Sequence, residues 1–566
     1  MIKKWVIGIC FGHHEASAAM ISEDGDVLFI REEWLSRVKN DYRFPKMALA
    51  QLQKISDGNI KTICHFQKPL RNWLGSGFNK IYSIENYKAK LTQYFDSDLS
   101  VAKDIKKIFG KKTDIIYTPH HISHLLNGSL FVDEKKFTTT LTCIMDGYGD
   151  GCAGKVYLKE GNDDYIQIDQ IETVDSLALI YSAITEFLGF SVNEDEYKVM
   201  ALSAYTEPKK ADYILSNIIT FDENKIKVSK EFFNFSDAGK STIKPAFTDV
   251  FGMSRIQRGV TDKNIHLDKL SIELISSFQY AIQKVVTKYL QNLIDTHDVE
   301  AIVLVGGLFH NSVLIGDIEK NIDKQIIVPP SPGDAGSSLG AAYFAAKYTF
   351  KDTFNLNIKS SFIGEQAQSL IEYDHLFCEE KVDINEWLEY KLNNDEVIAV
   401  FSNRFEMGPR ALLSRSLIAN AMSITAVKKL NVIVKQRETF RPIAISISEK
   451  NYIDLFGNDC NKEPVSSLWM GSVKKICNKK TDDLDIYKPF LHVDSSTRPQ
   501  VVKENMRHEI DPSLFNLINE RHKIICNTSL NIAGDPMVYL PEDLYLNMKR
   551  MQIKHVINNG KVYRIR

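Results

Sequence analysis

The spacing of apolar positions changes along the chain, and each change marks an element. Val6–Cys10 is a short unbroken apolar run, Ala18–Ile21 follows a turn of small residues, and Val27–Ile30 lies beyond Asp24-Gly25. Short apolar runs with Asp-Gly punctuation predict three strands, the last two joined as a hairpin. Thr138–Met145 is another β-rich run, and it ends on Asp146-Gly147-Tyr148-Gly149-Asp150. From Leu270 to Ile294 the period becomes helical, with Leu270, Leu274, Phe278, Ile282, Val285, Tyr289 and Leu293 on one face. This amphipathic helix feeds Ala301–Val305, a strand that stops at Gly306-Gly307. A Pro/Gly loop, Val328–Gly336, then precedes a helix of small residues, Ser337–Ala346.

Strands that alternate with helices and end in glycine and aspartate predict an α/β protein with ligands at the strand ends. Between Lys351 and Glu380 the periodicity fades, and a second α/β block begins at Val397-Ile-Ala-Val-Phe. The expected division is a first domain over 1–352, a linker over 353–375 and a second domain over 376–566. The sequence shows no internal repeat.

Composition narrows the function mainly by exclusion. The 566 residues suffice for two or three domains, and 70 basic against 72 acidic side chains leave a net charge of −2. No basic excess points to nucleic acid or a membrane surface. The cysteines, Cys10, Cys64, Cys143, Cys152, Cys378, Cys460, Cys477 and Cys526, are scattered without a C-x-x-C pair, which fits reduced thiols in a cytoplasmic protein. The first apolar run ends at Phe11 and meets Gly12-His13-His14-Glu15, so it reads as a buried strand and not as an export signal. No stretch reaches the roughly 18 apolar residues of a membrane span.

Four groups of residues carry candidate chemistry. In Pro119-His120-His121-Ile122-Ser123-His124, a helix puts His120 and His124 one turn apart on one face. With Asp146 and Asp334 at strand ends, two imidazoles and carboxylates with open positions suit Fe(II). Taken alone, the spacing more often describes helical histidines of the core or the solvent face. Asp146–Asp150, Gly306–Asn311 and Pro332–Gly340 are glycine-rich strand ends, where backbone N–H groups can approach phosphate or simply make tight turns. The P-loop and G-x-G-x-x-G patterns are missing, so phosphate binding there would be of the actin-like kind. The C-terminal block is dense in arginine: Arg404, Arg410, Arg415, Lys435, Arg437, Arg441 and Arg498, beside Gly-Pro, Arg-Pro and Asn527-Thr528-Ser529. Guanidinium forks at such positions suit a phosphate or carboxylate. Finally, His14 in the turn after the first strand is either a general base or a histidine of the turn.

In their order along the chain these motifs resemble the NodU/CmcH carbamoyltransferases, essentially from end to end. The resemblance is carried by His14-Glu-Ala-Ser-Ala-Ala, Glu33-Trp-Leu-Ser-Arg37-Val-Lys39, His120-His-Ile-Ser-His124, Asp146-Gly-Tyr-Gly-Asp, Glu196-Tyr-Lys198-Val-Met and Gly306-Gly-Leu-Phe-His-Asn311. It continues through Pro332-Gly-Asp334, Glu406-Met-Gly-Pro-Arg410-Ala-Leu, Phe440-Arg441-Pro, Val493-Asp-Ser-Ser-Thr-Arg498-Pro-Gln and Asn527-Thr-Ser-Leu-Asn531. It implies an actin-like (ASKHA, TsaD-like) N-terminal domain holding one Fe(II) and an α/β YrdC-like C-terminal domain. It also implies that carbamoyl phosphate and ATP, with Mg, give carbamoyl adenylate, and that a hydroxyl of a small natural-product or sugar-like acceptor then takes the carbamoyl group.

By motif match, the resemblance assigns the iron to His120, His124, Asp146 and Asp334, and the general base to His14. It assigns the nucleotide to Lys39, Gly147, Gly149, Gly306, Gly307 and Asn311, and carbamoyl phosphate to Arg410, Arg441, Arg498, Asn527 and Ser529. Glu15, Leu413, Ala204-Tyr205 and Asp494-Ser495-Ser496 depart from the family pattern, in which an Asp, a Gly, Pro-Tyr and Asp-Gly-Thr are usual. Other readings of related domains are a tRNA threonylcarbamoyl-modifying enzyme and an actin-like kinase or nucleotide-binding protein. The balanced charge argues against the first, and neither kinase nor sensor needs the arginine block.

Overall fold

The computed structural model describes residues 3–12, 14–67, 103–110, 113–161, 163–237, 240–256, 259, 261, 268–351, 354–457, 472–476 and 484–566. His13, Cys460 and Cys477 lie outside them. The chain forms two compact units: Met1–Glu32 with Asn40–Lys359, and Glu33–Lys39 with Ser360–Arg566.

The first unit contains one sheet plan twice. Strands β1 (Trp5–Cys10), β2 (Ser17–Ser22) and β3 (Val27–Arg31) form an antiparallel meander, to which β4 (Ile60–His65) and β5 (Asp114–Tyr117) add in parallel, in the order β3-β2-β1-β4-β5. After helix α1 (His120–Ser129), β6 (Thr139–Gly149), β7 (Cys152–Glu160) and β8 (Ile166–Ile171) form a second meander. The long helix α2 (Lys269–Thr296), N-capped by Asp268, leads to β9 (Ala301–Val305), helix α3 (Ser312–Asn321) and β10 (Gln325–Ile327). Strands β9 and β10 join β6 in parallel, so the order β8-β7-β6-β9-β10 matches the first sheet strand for strand. This duplicated five-stranded plan is the actin-like architecture expected for the N-terminal domain. The two copies share a topology and not a residue pattern, which is why no repeat is visible in the sequence.

Helix α4 (Asp334–Phe350) packs on β1, β2 and β4, while α1 packs on β6 and β9, and the two helices meet each other. Small residues make that meeting possible. A Cβ on Gly340 would lie 1.8 Å from the Ser123 carbonyl oxygen, so only glycine allows α4 to approach α1 this closely.

The second unit is built on one nine-stranded sheet. Its strands are β11 (Phe377–Glu380), β12 (Ile398–Phe401), β13 (Arg415–Asn420), β14 (Ala444–Ser448), β15 (Lys474–Lys475), β16 (Ser496–Val502), β17 (Ile525–Ser529), β18 (His555–Asn558) and β19 (Lys561–Ile565). Their order is β11-β19-β18-β12-β13-β17-β14-β16-β15.

The stretch expected as a linker, 353–375, is not a free connection. Ile358 N donates to the Leu130 carbonyl at 2.7 Å, which keeps the chain on the first unit up to Lys359. Three residues later Phe362 and Ile363 are buried in the second unit, where Gly364 N donates to the Phe405 carbonyl at 2.8 Å. Periodicity fades here because the backbone is satisfied by loop-to-loop hydrogen bonds and not by a ladder or helix. Among the described residues no helix is long and apolar enough to cross a membrane.

Candidate metal centre and anion site

In the first unit, Pro119 fixes the extended entry to α1, and the helix places His120 and His124 on its buried face. Asp146 lies near the end of β6, and Asp334 opens α4. The four side chains converge, with one ligand atom from each within 4.8 Å of all the others. His120 Nε2 is 3.1 Å from Asp146 Oδ2, His124 Nε2 is 3.2 Å from Asp334 Oδ1, and the two Nε2 atoms are 3.2 Å apart. Donors ~2.1 Å from a shared ion lie about 3.0–3.4 Å from one another, and these three contacts fall in that range. Gly149 makes room for the His120 ring: a Cβ there would lie 2.2 Å from it.

The charges point the same way. Burial raises the Asp146 carboxyl, but the two imidazoles overcome it and hold it well below the usual range. Burial and Asp146 raise Asp334, which the neighbouring histidines still bring down. Burial lowers His124, and the two aspartates more than reverse it, up to about 10. Two buried carboxylates therefore demand a positive partner, supplied by imidazolium protons or by a metal ion.

His14 stands beside this centre. Its Nε2 is 3.9 Å from Asp334 Oδ2 and its Nδ1 3.9 Å from Glu15 Oε2. Glu15 has a left-handed backbone, φ +58°, and its Oε1 meets the buried Arg31 at 2.5 Å. Burial lowers His14, while Asp334, Glu15, Asp146 and Glu196 together raise it.

The residues expected around the nucleotide are divided between the two units. Gly147, Gly149, Gly306, Gly307 and Asn311 are in the first unit, whereas Lys39 belongs to the second and pairs with Glu33 at 3.3 Å. Gly307 N donates to Asp146 Oδ1 at 3.0 Å, so its amide orients a metal-site carboxylate. Asn311 caps α3 through Leu314 N and donates to Gln279 Oε1 at 2.8 Å, both structural bonds.

The second unit divides the arginine block in two. Arg404 donates to the Gly364 carbonyl, and Arg415 is fully buried against Glu406, Nε to Oε2 at 3.1 Å, so both are structural. Arg410, Lys435, Arg437, Arg441 and Arg498 instead feel one another. Burial, then Arg441, pulls Arg410 down to about 10; burial, then Arg410, Arg437 and Arg441, pulls Arg498 well down; and Lys435 falls for the same reasons. A bound anion would relieve such mutual repulsion among largely buried cations; within the cluster Arg441 also faces Glu438 at 3.6 Å.

The sheet register builds this site. Ala444 pairs with Asn527 on one side and Arg498 on the other, so Asn527 and Arg498 share a face with a methyl group between them. Asn527 Nδ2 donates to the Ala411 carbonyl at 2.9 Å and to Gln500 Oε1 at 2.7 Å, while Gln500 donates to the same carbonyl at 3.0 Å. Asn527 thus pins the Arg410 loop to the sheet, and its Oδ1 stays buried without a hydrogen-bond partner. Ser529, expected to face the anion, accepts from Lys435 together with Asn531. Gln500 was not anticipated; its place two residues beyond Arg498 on one strand face was the available signal.

Comparison with known proteins bears on both units. Residues 5–343 match the family model for the carbamoyltransferase N-terminus, and residues 390–564 that for the carbamoyltransferase C-terminus. The chain belongs to the carbamoyltransferase family and is a transferase, acting between a carbamoyl donor and a small-molecule acceptor. An uncharacterized protein of Synechocystis is 26% identical over 98% of this chain and 95% of its own length. The nodulation protein NolNO of Sinorhizobium fredii is 24% identical over 93% of this chain and 75% of its own. The 3'-hydroxymethylcephem-O-carbamoyltransferase of Streptomyces clavuligerus is 28% identical over 42% of this chain and 44% of its own. Among solved structures, full-length HypF covers 62% of this chain and 57% of its own at 12% identity, with a TM-score of 0.33.

Proposed function

We propose that the chain is an ATP-dependent O-carbamoyltransferase that makes carbamoyl adenylate in the second unit and transfers the carbamoyl group in the first. The observation that carries the reading is the buried cation cluster of Arg410, Lys435, Arg437, Arg441 and Arg498 beside the orphaned acceptor Asn527 Oδ1. Carbamoyl phosphate needs both: cations for its phosphate, and an acceptor for its amino group. Water cleaves it to carbamate and phosphate. A carbamate oxygen then attacks the α-phosphorus of ATP, and pyrophosphate leaves. The acceptor hydroxyl attacks the adenylate carbonyl, AMP leaves, and the hydroxyl proton goes to a base.

His14 is that base in this reading, since it lies 3.9 Å from Asp334 with its side chain about one-third exposed at 31%. His120, His124, Asp146 and Asp334 would hold one Fe(II), which supplies Lewis acidity and a template for phosphate oxygens. Its positive charge would also offset the carboxylates that raise His14. The O-carbamoylating activity in the Streptomyces relative's name favours a hydroxyl acceptor of a natural product. Incubating the protein with ATP and carbamoyl phosphate should release pyrophosphate only when both are present. Pyrophosphate release that does not depend on carbamoyl phosphate would sink the reading, and ADP formation without pyrophosphate would favour a kinase or ATPase.

A further inference from the structure

The segment Glu33–Lys39 comes early in the sequence, yet it packs as part of the second unit. Two of its side chains reach two different loops. Trp34, fully buried, lies under the guanidinium of Arg415 at 4.0 Å, with Phe405 at 4.5 Å from the same group. Trp34 also stacks on Tyr539, centroids 5.8 Å apart and rings 23° from parallel. Arg37 donates to the Met537 carbonyl at 2.6 Å and the Pro536 carbonyl at 3.0 Å, and faces Asp543 at 3.5 Å. Its backbone is left-handed, φ +58°, a conformation that a non-glycine residue keeps only where its surroundings over-determine it.

Both loops carry the anion site. Glu406–Arg415 has Arg410 in it and is wound about Glu406, whose Oε1 accepts from Leu412 N at 3.0 Å and Arg415 N at 3.3 Å. Arg415 closes the loop by donating to the Glu406 carbonyl at 2.8 Å, and the face of that guanidinium rests on Trp34. The other loop, Ser529–Tyr539, starts with Ser529 and Asn531 on the Lys435 ammonium and ends at the residues that Arg37 and Trp34 hold.

We propose that Trp34 and Arg37 are positioning residues of the donor-activating site, setting the spacing between the Arg410 loop and the Ser529–Asn531 loop from a segment that the sequence assigns to the other domain. The inference rests on the adenylation reading above. A cation over an aromatic face holds a guanidinium without competing for its N–H groups, so Arg415 can use them on Glu406. Arg37 does the same work with backbone carbonyls as anchors.

The test uses the full chain and carbamoyl-phosphate-dependent exchange of labelled pyrophosphate into ATP, with KM and kcat separated. Trp34→Ala and Arg37→Ala should lower exchange kcat by about 10²-fold, the scale of an ångström-size misplacement, and raise KM for carbamoyl phosphate by roughly tenfold. Trp34→Phe keeps an aromatic face under Arg415 and should stay within about threefold of the parent. Bound metal should be unchanged in all three. Arg37 is partly exposed, so Arg37→Ala decides the matter if Trp34→Ala does not fold. Parent-like exchange in folded Arg37→Ala overturns the proposal, and Trp34→Phe as impaired as Trp34→Ala removes Trp34 from it. If the parent itself shows no exchange, the adenylation reading has failed. The positioning role of Trp34 and Arg37 is then judged by calorimetric binding of carbamoyl phosphate, and unchanged affinity in Arg37→Ala overturns it.

Discussion

At His124 the metal question becomes one of counting protons. Without metal, the two aspartates hold a proton on its ring up to about pH 10, against about 6.5 in an unfolded chain. A group whose pKa is raised on folding contributes stability below its unfolded value and loses it as pH rises through the folded one. Asp146 and Asp334, both lowered, contribute above about pH 4 and lose that contribution in acid. Metal-free protein should therefore be most stable between about pH 4 and 6.5 and lose stability from there toward pH 10, as followed by thermal unfolding. A bound divalent ion displaces those protons, so the stabilisation it adds should grow over the same alkaline range. His124→Ala should leave the protein without stoichiometric metal by elemental analysis; full occupancy in that variant would mean the four residues do not form the site. His14 sits outside the ligand set, so His14→Asn should keep the metal and pyrophosphate release while slowing transfer by roughly 10²–10⁴-fold. Transfer at the parent rate would leave orientation alone to drive the attack.

At the scale of elements, the centre depends on how closely α1 meets α4. His120 and His124 ride on one and Asp334 on the other, and Gly340 sets their approach. Gly340→Ala should cost about 1–3 kcal/mol of stability, since its Cβ would fall on the Ser123 carbonyl and backbone must shift. It should also weaken metal retention, measured by competition with a chelator; a variant as stable and as tightly metallated as the parent would show that the helices approach less closely. The elements themselves were largely legible. The helical period of Leu270–Leu293 gave α2 almost to its ends, and the apolar run Ala301–Val305 gave β9 to the residue. The pairing of His120 with His124 was legible because i, i+4 spacing is a local signal, and Asp146 because it closes a strand; Asp334, expected at a strand end, instead opens α4. What was not legible is long-range. Arg415 and Arg410 look alike in sequence, and only packing against Trp34 and Glu406 makes one of them structural. Leu413 stands in a left-handed conformation, φ +72°, where glycine would be expected, and its burial and the bond from its N–H to Ser416 Oγ at 2.9 Å hold it there.

For the whole molecule, the two sites lie in different units, so the two half-reactions should fail separately. Arg498 is the sharpest probe of the first. Its guanidinium is largely buried among three other arginines, its Nε has no hydrogen-bond partner, and it shares a sheet face with Asn527. A cation held against that repulsion gains an anion's charge only when the donor binds, so Arg498→Ala relieves the empty site and weakens the filled one. The variant should be no less stable than the parent, keep its metal, and lose pyrophosphate release by about 10²–10³-fold, the usual cost of one preorganised donor to a developing anion. His124→Ala should do the converse, losing metal and transfer while pyrophosphate still forms from ATP and carbamoyl phosphate. Single-turnover pyrophosphate release and metal content, measured on both variants in one experiment, decide it. Loss of pyrophosphate release in His124→Ala with the second unit still folded would mean that adenylation needs the metal centre, and the division of labour between the units would be wrong.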